Sequence, residues 1–111
     1  MHTDSRGSLV EVAPQVFVST THPGMTRGNH YHTHKTEKFL VVEGDAVIRL
    51  RLRATDVLHE HHVTGNRMQV VNIPTGYVHN IENVGKSDMI LVVWVSEIFN
   101  PESPDTYPEQ V

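Results

Sequence analysis

Short segments in which apolar and polar residues alternate dominate this chain, and they constrain its fold more than any other feature. The alternation is unbroken from Ile48 to Arg53, and the segment from Ser8 to Val12 follows a similar period. Alternate side chains of a strand point to opposite faces, whereas no window keeps the period of 3.6 that an amphipathic helix requires. Turn residues such as Gly65–Asn66 and Pro74–Gly76 separate the segments. The pattern predicts an all-β antiparallel sandwich or barrel.

The whole chain, residues 1–111, is expected to form a single domain, because its length suits one modest core and no linker interrupts it. The apolar runs 39–42 and 89–95 are predicted to be strands buried on both faces, with Trp94 in the core. Residues 100–111 contain three prolines and predict an irregular arm that packs through Tyr107.

Two polar segments between the apolar ones are given structural interpretations. Arg49, Arg51 and Arg53 alternate with apolar residues. They predict an exposed sheet face, with a subunit contact as the alternative. The segment His59–His62 is predicted to be a polar hairpin loop between two strands rather than a metal site.

Charge and composition disfavour several kinds of partner. A net charge of -4 and a pI of about 6.1 argue against nucleic acid or an anionic membrane. No apolar run approaches the roughly 20 residues of a membrane-spanning helix, and the first residues lack the apolar region of a signal peptide, so a cytoplasmic protein is expected. There is no cysteine, so a metal site would use nitrogen and oxygen ligands.

Histidines cluster on one short segment of the chain. In a strand, His30 and His32 project from the same face, so their imidazoles can chelate one ion. Glu37 would face back after a turn, and His79 could supply a third imidazole. Zn is the first candidate for such a set, with Fe, Mn, Ni or Co possible, and a metal-free hydrogen-bonded cluster is the alternative. His34 is expected outside the set, because it would lie about 13 Å along the strand from His30.

The spacing of these residues resembles the two sequence motifs of the cupin superfamily. The first is a glycine, five residues, H-x-H, three or four residues, a glutamate, six residues and a glycine, and residues 24–44 match it. The second ends P-x-G-x-x-H-x-x-x-N and matches within residues 65–83, although Gly65 lies farther from the proline than is usual. The resemblance implies a double-stranded β-helix, the jelly-roll barrel of cupins. The matching positions, which include the implied metal ligands in the barrel mouth, are Gly24, His30, His32, Glu37, Gly44, Pro74, Gly76, His79 and Asn83.

A narrower resemblance covers nearly the whole chain. Segments such as GNHYHTHKTEKFLVVEGD and IPTGYVHNIENVGKSDM resemble the C-terminal cupin domain of the CapF family of bifunctional capsular polysaccharide enzymes. That resemblance implies zinc binding and epimerisation at C3 of a UDP-linked 4-keto-6-deoxy-N-acetylhexosamine, followed by NADPH-dependent reduction in a short-chain reductase domain. The G-x-x-G-x-x-G loop of such a reductase is absent here. The chain is therefore either an isolated domain or a stand-alone relative.

A looser similarity connects the chain with metal-free deoxysugar 3,5-epimerases and sugar 3,4-ketoisomerases. They share D-x-R-G, here Asp4, Arg6 and Gly7, and R-G-x-H, here Arg27 to His30. In those enzymes the histidine of the second motif is a base. His30 is therefore either a metal ligand or a catalytic base.

Epimerisation beside a ketone requires a proton to leave C3 and to return on the other face of the sugar. Negative charge develops on O4, where a cation would stabilise it, and an acid and a base must flank the ring. Proximity to the motifs makes His34, Lys35 and Tyr77 the candidate proton carriers, with solvated rim residues as the alternative. Arg27 and Lys38 are candidate clamps for the UDP phosphates.

Two other functions would use the same residues. One is a metal-dependent dioxygenase of cupin type, and the other is a non-catalytic cupin that binds a sugar or a partner. Exposed sheet edges of small cupins need cover, so a two-fold homodimer is also expected, in which the segment from Ser8 to Val12 adds to a neighbouring sheet.

Overall fold

The structure is a computed structural model that describes residues 1–98 and 100–111. The described residues form eleven β-strands and no helix, so none of them contributes to a helix that is long and apolar enough to cross a membrane. The strands are β1 (His2–Asp4), β2 (Gly7–Ala13), β3 (Val16–Thr21), β4 (Thr26–Tyr31), β5 (Glu37–Glu43), β6 (Asp45–Leu52), β7 (Leu58–Thr64), β8 (Val70–Ile73), β9 (Tyr77–Asn83), β10 (Met89–Val95) and β11 (Tyr107–Pro108).

The strands form two antiparallel sheets. One has six strands in the order β1-β2-β3-β10-β5-β8, and the other has five in the order β11-β4-β9-β6-β7. Strands that are distant in the chain become neighbours, as when β10 lies between β3 and β5. The prediction of an all-β antiparallel fold is confirmed.

The core lies between the inner faces of the two sheets. Ile48 of β6 is opposite Ile81 of β9, and both side chains are buried. Leu91 of β10 is opposite Val41 of β5 on the six-stranded side, and these are buried too. Burying one such side chain stabilises the fold by roughly 1.5–3 kcal/mol, so the alternating pattern fixes which face of each strand points inward.

The apolar runs 39–42 and 89–95 were expected to be buried on both faces, and this expectation is wrong. In β10 Leu91 is buried, whereas Trp94 is 57% exposed, so Trp94 is not a core residue. The reason is that none of the described residues forms a layer over the outer face of the six-stranded sheet. Outward residues at successive register positions form an apolar row across five strands, here called the outer row: Val10, Val18, Val92, Leu40 and Val70.

Residues His59–His62 lie within a strand, β7, and not in the predicted hairpin loop. β7 pairs along its length with β6, so Glu60 is opposite Arg49 and His61 is opposite Ile48. β7 is an edge strand, and all of its residues from 58 to 62 are exposed. An edge strand that is polar on both faces lacks the alternation by which strands are recognised.

The arginines of β6 do not form a bare sheet face. Arg49 makes ion pairs with Glu60 at 3.0 Å and Glu82 at 2.9 Å. Arg51 is covered by the C-terminal arm, where its Nη2 lies 2.8 Å from Glu109 Oε2. The arm itself runs antiparallel to β4 through β11.

The segment from Ser8 to Val12 belongs to β2, which pairs with β1 on one side and with β3 on the other. β1 covers only Gly7 to Leu9, so among the described residues the edge of residues 10–12 that faces away from β3 has no strand partner. The expectation that the segment lies outside the barrel is wrong, because it is part of the six-stranded sheet, and the addition of its free edge to a neighbouring sheet stays a prediction.

Candidate functional site

Three strands bring the predicted metal ligands to one end of the barrel. His30 lies in β4, and His32 follows the end of that strand. Glu37 begins β5, and His79 lies in β9 directly opposite His30. One ligand atom from each of the four residues lies within 4.8 Å of the others.

A β-bulge sets the direction of His30. The register between β4 and β9 shifts between Gly28 and His30, and Asn29 is the extra residue, with a φ of 58°. Arg27 is opposite Ile81, and His30 is opposite His79. Residues three positions apart face opposite sides of a regular strand, but the extra residue of the bulge turns both Arg27 and His30 inward. Gly28 is needed here, because a Cβ atom would lie 2.8 Å from the carbonyl oxygen of His79.

Backbone carbonyl groups determine the tautomers of two of the histidines. Nδ1 of His32 lies 2.7 Å from the carbonyl oxygen of Asp105, and Nδ1 of His79 lies 3.0 Å from that of Tyr77. A carbonyl oxygen only accepts, so each Nδ1 carries the hydrogen. In the neutral rings, both Nε2 atoms are then acceptors with free lone pairs.

These two Nε2 atoms point at the same carboxylate oxygen. Oε1 of Glu37 lies 2.7 Å from Nε2 of His32 and 3.2 Å from Nε2 of His79. The contact with His79 lacks hydrogen-bond geometry, so its buried Nε2 has no hydrogen-bond partner among the described residues. Acceptors that converge in this way repel one another unless a proton or a cation lies between them. The arrangement therefore fits a metal ion.

Burial and charge shape the ionisation of the cluster. Burial, followed by the neighbouring His79 and His32, lowers the pKa of His30 to about 4, so this ring is neutral at pH 7. Burial alone would raise the pKa of Glu37, but the hydrogen bonds and positive charge that His32 and His79 supply in their protonated forms outweigh burial and hold that pKa well below its usual range. A neutral imidazole and an ionised carboxylate are the forms that bind metals.

A cavity of about 290 Å³ opens from the cluster into the barrel. All four cluster residues line it, together with aromatic and aliphatic side chains of the inner sheet faces. Arg6, Arg27 and Lys35 are the basic residues on its wall. The cavity therefore combines a possible metal centre with positive charge, which suits an anionic organic ligand.

The other predicted site residues do not all share this cavity. Arg27 does, and its guanidinium donates to Thr21 Oγ1 at 2.8 Å, while burial and the nearby Arg6 lower its pKa. Lys35 also lines the cavity. Lys38 does not, because it is one residue past Glu37 and points outward, where it donates to Asn72 at 2.7 Å.

His34 and Tyr77 lie outside the cavity as well. β4 ends at Tyr31, so the alternation that was expected to carry His34 onto the ligand face stops before it. The His34 side chain is 69% exposed and lies in a separate surface cleft with Glu97. The ring of Tyr77 packs against the hydrophobic core, and its contribution to the cluster is the carbonyl group that holds His79.

Two residues of the site were not assigned a role from the sequence. Arg6 belongs to the D-x-R-G motif, which was a usable signal, and its side chain forms an ion pair with Asp4 at 2.6 Å. Asp105 lies in the proline-containing arm, where no motif or period marks it. It contacts His32 across 73 positions of the sequence.

Comparison with known proteins identifies relatives of the whole chain. A family model described as a polysaccharide biosynthesis C-terminal domain matches residues 2–107. The chain is 43% identical over 112 residues to the UDP-2-acetamido-2,6-beta-L-arabino-hexul-4-ose reductase of Pseudomonas aeruginosa, which covers 96% of this chain and 30% of that protein.

Solved structures show the same fold. The capsular polysaccharide assembling protein CapF from Staphylococcus aureus superposes with a TM-score of 0.96 at 48% identity, covering 100% of this chain and 31% of CapF. An oxalate oxidase in complex with glycolate gives a TM-score of 0.66 at 25% identity, covering 84% of this chain and 44% of that one. The chain spans about a third of the reductase and of CapF. The predicted cupin barrel and the resemblance to the CapF family are confirmed.

Proposed function

Because the chain belongs to the polysaccharide biosynthesis C-terminal domain family, we propose that it is an epimerase domain for a nucleotide sugar. The proposed substrate is a UDP-linked 4-keto-6-deoxy-N-acetylhexosamine, and the proposed reaction inverts C3 on the way to a capsular polysaccharide. The observation that carries this proposal is the convergence of His30, His32, Glu37 and His79 at the head of a cavity with a basic wall.

The cluster is proposed to hold one divalent cation, with Zn as the first candidate and Fe, Mn, Ni or Co as alternatives. Three imidazole nitrogens and a carboxylate oxygen are donors that these ions share. The buried Nε2 of His79, which lacks a hydrogen-bond partner among the described residues, supports a cation at this point. When bound, such an ion supplies Lewis acidity at the C4 carbonyl oxygen of the sugar, where negative charge develops.

Lys35 is proposed to take the proton from C3 on one face of the sugar, and solvent water is proposed to supply the proton that returns on the opposite face. Lys35 lines both the cavity that the cluster opens into and the surface cleft of His34, whereas His34 and Tyr77 do not line the cavity. His30, which is neutral at pH 7, is assigned to the metal, and its alternative role is that of the base. A Lys35→Gln variant distinguishes these roles, because it should lose proton exchange and keep its metal.

Arg6 and Arg27 are proposed to bind the UDP diphosphate. Both line the cavity, and guanidinium groups bind phosphate oxygens with paired, charge-assisted hydrogen bonds. Burial and the charge of Arg6 lower the pKa of Arg27, and a bound phosphate would offset both effects because its negative charge favours the charged guanidinium. Arg6 thereby replaces Lys38 as the second clamp.

Hydrogen exchange at C3 tests the proposed reaction. Metal-loaded protein would be incubated in D2O with a UDP-4-keto-6-deoxy-N-acetylhexosamine, and deuterium at each sugar carbon would be measured by NMR. We expect deuterium at C3 with the metal-loaded protein and none above background after chelation. Absence of deuterium at C3 under both conditions would contradict the proposal.

A dioxygenase is the second candidate, and the fold shared with an oxalate oxidase favours it. The same exchange experiment, run with iron-loaded protein in an oxygen electrode, separates the two candidates. Oxygen consumption without exchange at C3 would support the dioxygenase. A non-catalytic cupin would bind the nucleotide sugar and show neither exchange at C3 nor oxygen consumption.

We also propose a reductase as a functional partner, in the same polypeptide or a separate one. The Pseudomonas relative is named as a reductase of a hexul-4-ose, and this chain spans only 30% of it. An epimerised 4-ketone remains reactive, so a hydride donor acting at C4 would be needed to fix the new configuration.

A two-fold homodimer is proposed to form through the outer row of the six-stranded sheet. The row crosses five strands, and Val12 and Trp94 extend it at two points, although Lys38 and Asn72 lie beside Trp94 on the same face. Six strands spaced about 4.8 Å apart and about 20 Å long present on the order of 500 Å² in projection. Side-chain relief raises the accessible area of such a face, which brings it near the roughly 800 Å² per partner of a stable interface. A second copy presents the same apolar face, so the two faces are self-complementary.

Light scattering at micromolar concentration tests the dimer. The wild type should give twice the chain mass of 12.6 kDa, and Val92→Glu, in the centre of the outer row, should give 12.6 kDa. Leu58→Glu is the matched control, because Leu58 is 47% exposed on the other sheet and should leave the dimer intact. A wild type of 12.6 kDa would contradict the proposal.

A further inference from the structure

The C-terminal arm contains one buried acidic residue that the proposed reaction does not use. Asp105 is 4% exposed and has a φ of 54°, a conformation that aspartate tolerates better than most residues. Its carboxylate and its carbonyl group both turn toward the loop that separates His32 from Glu37. We propose that Asp105 is a positioning residue that holds these two ligands in place, an inference that rests on the proposed metal site.

The carboxylate of Asp105 holds the loop that connects the two ligands. Oδ1 accepts from Thr33 N at 2.8 Å and from the Thr33 hydroxyl at 2.5 Å. Oδ2 accepts from the backbone N–H groups of His34 at 2.7 Å and Lys35 at 3.0 Å. Three consecutive amides thus converge on one carboxylate, and Glu37 lies two positions beyond the last of them. The turn that directs Glu37 back toward the histidines therefore depends on this residue.

The backbone of Asp105 holds the ligand ring itself. Its carbonyl oxygen accepts from Nδ1 of His32 at 2.7 Å, which fixes the tautomer and leaves Nε2 to face Glu37. Histidines that bind metals usually donate their other N–H in this way, and loss of such a partner typically lowers metal affinity 10- to 100-fold. Asp105 thus orients the ligand His32 and shapes the loop that leads to the next ligand, Glu37.

The arm that carries Asp105 is fastened to β4. Tyr107 stacks on Tyr31 with ring centroids 5.2 Å apart, and the N–H of Glu109 donates to Asn29 at 3.0 Å. The ion pair of Glu109 with Arg51 adds a contact to β6. These attachments lie outside the metal cluster, so they permit a control in which the arm is weakened without a change at Asp105.

A second set of possible ligands lies near this loop, but it does not make an independent metal site. His34, Glu97 and Asp105 offer ligand atoms within 4.8 Å of one another. Both oxygens of Asp105 already accept hydrogen bonds from the loop, and His34 Nδ1 lies 3.9 Å from Oδ2. Binding an ion there would require the loop to lose those bonds.

Zinc affinity of the full chain, measured by competition with a chromogenic chelator, tests the inference. Asp105→Ala removes the carboxylate that holds the loop and thereby frees the backbone carbonyl group that fixes His32, so it should bind Zn²⁺ 10- to 100-fold more weakly than the wild type. Asp105→Asn keeps the side-chain volume but sets an NH2 group against the N–H donors of His34 and Lys35, so a loss of at least about fivefold is expected. Glu109→Ala should stay within twofold of the wild type.

Folding is checked by the backbone NMR spectrum of each apo variant, and the Nδ1–H resonance of His32 is followed in parallel. The Nδ1 hydrogen of His32 should exchange slowly with water in the wild type and in Glu109→Ala, and rapidly in Asp105→Ala. If Asp105→Ala does not fold, Asp105→Asn decides the question. Wild-type affinity in a folded Asp105 variant would overturn the inference. If the wild type binds no zinc, the proposed function fails instead, and an unchanged His32 resonance in the variants would then refute the positioning role.

Discussion

Glu37→Gln should weaken metal binding and yet stabilise the metal-free protein. In the wild type, Oε1 of Glu37 faces the Nε2 lone pairs of His32 at 2.7 Å and His79 at 3.2 Å. The carbonyl groups that accept from Nδ1 prevent either neutral ring from turning an N–H toward the carboxylate. A glutamine at this position has the same shape and offers two N–H donors. Both unfavourable contacts can then become hydrogen bonds.

The size of the effect follows from those two contacts. Each new hydrogen bond contributes about 0.5–1.5 kcal/mol net. The wild type can relieve part of its repulsion by binding a proton, so a net gain of about 1–2 kcal/mol is expected for the apo variant. The measurement is urea unfolding with excess chelator at pH 8.

Added zinc should reverse the order of stability, because the amide is a poor ligand and the wild type gains binding energy that the variant lacks. Glu43→Gln is the matched control, because Glu43 is the exposed residue at the other end of β5. Its substitution should change the free energy of unfolding by no more than about 0.5 kcal/mol, either with chelator or with zinc. If apo Glu37→Gln unfolds at lower urea than the apo wild type, the assignment of converging acceptors is wrong.

Three further outcomes are expected. The apo protein should lose stability as the pH falls from 7 to 4, because His30 in the unfolded chain is protonated near pH 6.5 whereas its folded pKa is about 4. The part of the loss due to His30 is about 3 kcal/mol, measured as the difference between wild type and His30→Gln in urea titrations at pH 7 and pH 4. Equal losses in the two proteins would contradict it. Arg27→Gln should raise the KM for the nucleotide sugar about tenfold while Lys38→Gln stays within twofold, as steady-state kinetics of C3 exchange would show. Ile48→Ala, at a fully buried position, should cost about 2–5 kcal/mol in chemical unfolding, and a cost below about 1 kcal/mol would contradict its place in the core.

The fold could be predicted from the sequence where strands have one buried face. The alternation in β6 identifies it as such a strand, and the spacing of the histidine and glutamate positions identified the cluster. β7 was missed because it is an edge strand with polar residues on both faces. Trp94 was misplaced because an apolar run does not reveal which of its faces packs within the chain.

The parts of the site that were missed depend on contacts between distant segments or on local breaks in strand geometry. The bulge at Asn29, which directs both Arg27 and His30 inward, leaves no periodic signal. His34 was expected to continue the alternation of His30 and His32, but the strand ends first. Asp105 reaches the site through the packing of the arm, and pairwise contact across 73 positions cannot be inferred from one sequence.

The metal content of purified protein tests the central claim most directly. Wild type and His79→Ala would be loaded with zinc, desalted side by side and measured by elemental analysis, with His34→Ala as the control outside the cluster. One zinc per chain in the wild type and in His34→Ala, and a sharp loss in His79→Ala, is the predicted result. Full occupancy in His79→Ala, loss in His34→Ala, or no zinc in the wild type would contradict the assignment of His30, His32, Glu37 and His79 as the metal ligands.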